Sequence, residues 1–339
     1  MKKYKLQILK GLLAALSFTI SALILLPGVI VTLYPAEFAQ NIRELPQQIH
    51  LDKVDIPDYI NVYRTASGVV EAVPFEDYVK GVVSGEMPSS FEEEALKAQA
   101  VAARTYSLSK IIRSGDGGFP AAHPTAALCD STHCQVYRSP TDLAQIKSAE
   151  WMSAGWPKIV SAVDDTKGQV MYYDGKLAEQ ALFHSSSGGK TENSEDVFAS
   201  AVPYLRSVDS PYEEEASHRD EQTSMSVSAF VQKVKRAYPS KAFGSVDSGS
   251  IRILSRTSGG RVEALQIGGD SLSGRNIRDC LGLASANFTV DVAGDQVTFT
   301  TNGYGHGVGM SQYGANGMAK EGYDYKEILA HYYSGVVIY

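Results

Sequence analysis

The chain has 339 residues, 44% hydrophobic and 20% charged, with a net charge of −7. That is an ordinary globular composition, with length for one large domain or two. Lys2, Lys3, Lys5 and Lys10 gather at the start with no acid among them, so the remainder is more acidic than the whole. An acidic body lacks the basic face that nucleic-acid binding needs.

In chain order, the first feature is Gly11 to Leu33, which carries no charged residue. About 23 apolar positions are enough to span a bilayer. No small-x-small cleavage site follows, so the stretch reads as an uncleaved anchor, with a cleaved signal as the alternative. The lysines before it place the N-terminus in the cytoplasm and the rest outside. The expected organisation is a basic tip and transmembrane anchor (1–34), a Pro-containing linker or arm (35–57), and an α+β ectodomain (58–339), with a sub-lobe around 205–300.

Tyr59 to Tyr63 alternates as a strand, turns at Thr65 to Gly68 and returns through Val69 to Val73. Pro74 suits the start of a short helix whose Tyr78, Val79, Val82 and Val83 share a face. That helix delivers Glu86, in the turn Gly85-Glu86-Met87-Pro88. Pro88 stops it, and Ser89 or Ser90 is the expected cap of the next helix, to about Arg113. Ala95 to Arg104 is rich in alanine, which lets other elements approach closely, and Lys97 and Arg104 share one face. A lone acid between apolar segments is a candidate general acid; the alternative is a surface carboxylate beside two solvated cations.

Further on, the pattern predicts a helix over Trp156–Asp165 and a hairpin through Asp174-Gly175, continuing to Phe183. Helices are expected near Val227–Tyr238, Gly274–Leu283 and Tyr325–Tyr333, with hairpins around Gly259-Gly260 and Gly294-Asp295 and a last strand near Val336–Tyr339. His123, Cys129, His133 and Cys134 lie close together with zinc-site composition. His133 and Cys134 are neighbours, so His123, Cys129 and Cys134 are the expected ligands; a Cys129–Cys134 disulfide is the alternative. Ser187-Gly188-Gly189-Lys190 fits the Ser-x-x-Lys pattern, but its glycines disfavour the helical turn that an acyl-enzyme needs. His184 to Glu192 therefore reads as a binding loop or a plain turn. Tyr304, His306 and Gln312, set among glycines, offer the stacking and two-ended hydrogen bonds that sugars use, or mark a structural corner.

Three ordered motifs carry a resemblance. They are Gly-Glu-Met-Pro with Ala95-Leu96-Lys97-Ala98-Gln99-Ala100-Val101-Ala102-Ala103-Arg104-Thr105-Tyr106, then Phe183 to Gly189, and Gly305 to Gly314. From about Tyr59 to its end the chain resembles the stage II sporulation protein D family. The resemblance implies a membrane-anchored lytic transglycosylase, working on peptide-free glycan strands of peptidoglycan in forespore engulfment. Its partners would be the amidase stage II sporulation protein P and the membrane protein M. It carries Glu86 over as catalytic and makes the His123/Cys129/Cys134 loop similar to a zinc-binding insert, with a structural ion. Lys97, Arg104, His184, Ser186, Thr191, Tyr304, His306 and Gln312 are the expected substrate-side residues. The rivals are a non-catalytic glycan-binding enhancer of an amidase and a zinc peptidase, the latter without a His-Glu-x-x-His helix to support it.

Overall fold

A computed structural model describes residues 51–115 and 118–339. The expected anchor and the first part of the arm lie outside the described residues. Among those described, no helix is long and apolar enough to cross a membrane. The end of the arm is not a free linker: Asp52 N–H donates to the Gly175 carbonyl (2.8 Å) and Val54 N–H to the Tyr172 hydroxyl (3.2 Å).

β1 (Tyr59–Arg64) and β2 (Val69–Pro74) form the expected hairpin, Tyr59 opposite Pro74. Pro74 caps α1 (Phe75–Glu86), whose Phe75, Tyr78, Val79, Val82 and Val83 are buried, the spacing of one helical face. α2 spans Glu93–Ser114. It starts later than expected, with Glu92 rather than a serine at its cap. Residues 88–91 are held in a turn by Phe91 N–H to Pro88 O (3.1 Å), and the buried Phe91 ring lies edge-on to Tyr313 at 5.1 Å. From Ala95 to Ser109 every α2 residue except Lys97 is buried. Alanine on all sides makes this the central helix, against which α1 packs.

β3 (Leu128–Cys129) adds to β1 in parallel. α3 (Pro140–Ile146) follows a Ser139–Asp142 capping box, and α4 (Ala149–Asp165) a Ser148 cap. Ser148 starts α4 a full turn or more before the expected Trp156, and Pro157 lies inside it. β4 (Met171–Tyr173) and β5 (Lys176–Leu177) turn over Asp174 and Gly175, both at positive φ. The strand expected to run on to Phe183 stops at Leu177; β6 (Phe183–His184) and α5 (Ser194–Val197) follow.

β7 (Glu221–Ser226), α6 (Val227–Ala237), β8 (Ile251–Arg256), β9 (Val262–Ile267), β10 (Asp270–Leu272), α7 (Gly274–Leu281), β11 (Phe288–Ala293) and β12 (Gln296–Thr301) come next. The antiparallel sheets β10-β9-β8 and β11-β12-β7 enclose, with α6 and α7, a second hydrophobic core containing Phe230, Phe243, Ile277, Phe288 and Phe299. β13 (Met310–Ser311) pairs in parallel with β6, which brings two distant motifs side by side. α8 (Gln312–Lys320), α9 (Tyr325–Tyr332) and β14 (Val337–Ile338) close the chain; α8 and α9 pack on α2, and β14 pairs with β4. The mixed α+β architecture is as expected.

Candidate active site

Glu86 is the last residue of α1, and its carboxyl reaches a cleft of about 660 Å³. The segment after the Cys/His loop crosses the end of α1. There Val136 N–H donates to Glu86 Oε1 at 2.6 Å and Arg138 N–H to Gly81 O at 3.2 Å. Gly85 permits this crossing: a Cβ there would collide with the Val136 carbonyl. Gln135, buried, donates to Ser107 Oγ on α2 (2.9 Å) and ties the same segment to the central helix. Burial raises the Glu86 pKa, against the opposing effects of the Val136 amide, the Arg138 charge and the Gln312 side chain. Among the described residues lining the cleft, Glu86 is the one carboxylate.

Beside it, His123, Cys129, His133 and Cys134 converge, their ligand atoms all within 4.8 Å of one another. His123 Nε2 is 3.1 Å from His133 Nδ1 and 3.3 Å from Cys134 Sγ. His123 Nδ1 lies 2.7 Å from the Ala126 carbonyl, the bond that presents Nε2 as a lone pair to a metal. Cys129 and Cys134 are both free thiols, so the alternative disulfide is not formed. His133 belongs to the cluster, contrary to expectation: a turn with Cys134 N–H on the Ser131 carbonyl (3.0 Å) brings both neighbours to it, with His133 at its exposed edge. A two-His, two-Cys donor set fits a divalent metal such as zinc. Thr132, His133 and Cys134 also line the Glu86 cleft, so this loop forms one of its walls.

The facing wall comes from the other two motifs, joined by the β6–β13 pairing. His184, Tyr304, His306 and Gln312 all line the cleft. Gln312 begins α8, where Ser311 Oγ accepts from Gly314 N–H. Burial pushes the His306 imidazole down to about 4, with Arg261 and Arg278 adding to the effect, so the ring is neutral. Its Nδ1 accepts from Val308 N–H (3.0 Å). Below it lies Arg261, buried, with Nη1 3.4 Å from Glu192 Oε1 and Nη2 donating to Ser187 O (3.1 Å). Gly307 has φ +84°, and a Cβ there would overlap the Arg261 guanidinium. Tyr304 is exposed and stacks on His218, ring centroids 4.4 Å apart, leaving one face for a ligand.

Four expected substrate residues lie elsewhere. Arg104 is fully buried and grips Glu76 with Nε to Oε1 (2.9 Å) and Nη2 to Oε2 (2.7 Å). Lys97 sits among Glu93, Glu94 and Asp165, its Nζ 2.9, 3.0 and 3.2 Å from them. Both cations are spent on structure, and neither lines the cleft. Ser186 is buried and lines another hollow; Thr191 is buried, with its Oγ1 accepting from Val208 N–H (2.8 Å). The 187–189 loop faces inward, its Ser187 and Gly188 amides each donating to Glu213 at 2.8 Å. Glu213 also accepts from Ser210 and Ser311, and no local sequence pattern marks it. Tyr106, Phe198 and Arg278 also line the cleft, beyond the residues the sequence predicts.

Comparison with known proteins matches the family model SpoIID, described as stage II sporulation protein, to residues 63–173. Stage II sporulation protein D of Bacillus subtilis (strain 168) is 42% identical over 283 residues, covering 83% of this chain and 79% of that protein. The protein of that name from Bacillus amyloliquefaciens is 42% identical over 287 residues, with the same coverage, 83% and 79%. An amidase enhancer of Bacillus subtilis (strain 168) is 31% identical over 308 residues, covering 77% of this chain and 40% of the enhancer.

Proposed function

The chain belongs to the stage II sporulation protein D family, and from that premise we propose that it is a lytic transglycosylase. In this reading it cleaves the β-1,4 bond between N-acetylmuramic acid and N-acetylglucosamine in peptide-free glycan strands. It works outside the cytoplasm, held by the apolar segment Gly11 to Leu33, during engulfment of the forespore. Its partners there are the amidase stage II sporulation protein P and protein M.

The observation that carries the chemistry is Glu86 as the one carboxylate lining its cleft among the described residues. Breaking a glycosidic bond needs a proton on the leaving oxygen. A carboxyl whose pKa is raised by burial keeps that proton available. Val136 N–H holds Oε1, and in this reading Oε2 is the oxygen that delivers the proton. Hydrolases add a second carboxylate, as nucleophile or to activate water. A transglycosylase does not require one. The muramic acid 6-hydroxyl attacks C1 as the C1–O4 bond breaks, and Glu86, now ionised, takes the hydroxyl proton. The products are a 1,6-anhydro sugar and a new 4-hydroxyl end, with no water consumed. Tyr304 supplies a stacking face, while His306 and Gln312 supply polar edges for the sugars.

His123, Cys129, His133 and Cys134 would hold zinc, and bound there it supplies a structural cross-link. Two residues beyond the last ligand, Val136 clasps Glu86, so the loop's order bears directly on the acid's position.

Similarity to the amidase enhancer favours a second reading, a glycan-binding protein that stimulates a partner amidase without breaking a bond itself. Incubation with peptide-free glycan strands and mass spectrometry of the products separates the two. The lyase releases anhydro-ended fragments and Glu86→Gln releases none. Binding without release, by wild type and variant alike, favours the enhancer.

A further inference from the structure

Arg278 stands on α7, at the junction between the Glu86 cleft and an adjoining cavity of about 480 Å³ lined by Arg261, Arg275 and His306. Two of these three guanidiniums are committed. Arg261 is paired with Glu192, and Arg275 donates to the Val197 carbonyl (3.0 Å) while lying over the Phe198 ring. Arg278 is not. Its side chain makes no hydrogen bond or ion pair with any described residue, although it is half-buried. Of the acids that line the adjoining cavity, Glu192 is taken by Arg261, while Asp196, which accepts from Asn193 and Ser258, Glu263 and Asp279 are exposed, and none of them is paired with Arg278. Its main chain is fixed: the Arg278 carbonyl accepts from Gly282 N–H (2.8 Å) and Leu283 N–H (3.0 Å) at the end of α7. Along the Glu86 cleft it is the one arginine or lysine among the described lining residues.

A half-buried guanidinium without a partner is costly until an anion arrives, and its fork fits a carboxylate. A glycan strand carries neutral hydroxyls and N-acetyl groups. Its one anion is the lactyl carboxylate of muramic acid, and that group is free only where the stem peptide has been removed; otherwise it is an amide. We propose that Arg278 is a specificity-determining residue that binds the lactyl carboxylate of muramic acid and so selects strands stripped of their peptides. The proposal rests on the reading of the cleft as a glycan site and explains how that site tells bare strands from peptide-bearing ones.

The test is calorimetric binding by the full chain carrying Glu86→Gln, so that the ligand is not consumed. The ligands are peptide-free glycan oligosaccharides and the same oligosaccharides with the lactyl carboxylates converted to methylamides. The free acid is expected to bind about tenfold or more tightly than the amide, a factor worth roughly 1.4 kcal/mol. Adding Arg278→Gln should abolish this preference by weakening the free acid alone, and Arg278→Lys should restore part of it. Having no intramolecular partner, Arg278 can be replaced without disturbing the fold, which circular dichroism checks. Equal binding of the two ligands, or a preference that survives Arg278→Gln, overturns the proposal. An Arg278-dependent preference in a protein whose Glu86 form never cleaves upholds the proposal and removes the lyase reading. Binding of neither ligand removes both.

Discussion

Gly85→Ala tests whether the clasp on Glu86 governs activity separately from the fold. A methyl at residue 85 would lie 3.1 Å from both the carbonyl carbon and Cγ1 of Val136, and closer still to the carbonyl oxygen. Carbon contacts settle near 3.5–4.0 Å, so the segment must retreat by roughly 1 Å. Overpacking of this kind costs about 1–3 kcal/mol, and exchanging glycine for alanine in a helix returns about 1 kcal/mol. The net loss of stability is therefore about 0–2 kcal/mol, a fall in Tm of a few degrees. The 2.6 Å bond from Val136 N–H to Glu86 Oε1 lies in the displaced segment and is stretched or lost. A misplacement of about 1 Å at a reacting group costs on the order of 100-fold in rate. The assay pairs differential scanning calorimetry with anhydro-product release from peptide-free glycan strands. A folded variant cleaving at the wild-type rate would refute the reasoning.

Arg104→Met leaves Glu76 without its guanidinium and should cost about 3–5 kcal/mol in denaturant unfolding. Glycan affinity of the folded fraction should be unchanged; a selective loss of affinity would return Arg104 to the substrate side. Chelation, or Cys134→Ser, should lower Tm and activity together, with zinc measured by elemental analysis at one ion per chain before treatment; a chelator-treated, zinc-free protein of undiminished Tm and activity would count against a structural ion. The raised pKa of Glu86 fixes the sign of its pH dependence. The folded state holds this proton more tightly than the unfolded one, so the cleavage step slows as pH rises through the folded value. Stability contributed by the protonated carboxyl is lost over the same window, above 4.5. A rate that rises with pH across that window would rule Glu86 out as the acid.

Local signals carried much of the fold. The β1–β2 hairpin, the apolar face of α1 and the Asp174-Gly175 turn follow from periodicity and turn chemistry. What they could not carry was partnership across the chain. Lys97 and Arg104 share a helix face and looked like a pair of cleft cations. Glu93 and Glu94, one turn before Lys97 on the same helix, were a local sign of its pairing; Glu76 on α1, which takes Arg104, and Asp165 on α4, which completes the Lys97 cluster, come from other elements and are invisible within the helix. Ser186 and Thr191 sit in a polar, glycine-rich run, a pattern that predicts ligand hydroxyls. The run is turned inward by Glu213, which binds its amides from 26 and 25 residues away in sequence. Adjacency in sequence argues against His133 and Cys134 sharing an ion, and the turn at Ser131 removes that obstacle. The glycines from Gly303 onward hid the start of α8, whose Ser311 cap becomes evident only with the chain folded. Phe198 and Arg278 reach the cleft through tertiary packing and left no local signal.

The most direct measurement of the central claim is cleavage by the full chain in oxygen-18 water. A single carboxylate with an internal hydroxyl as nucleophile predicts 1,6-anhydro ends with no label from solvent. A solvent oxygen at the new reducing end would mean that water is the nucleophile, and the single-acid account of this cleft would be wrong.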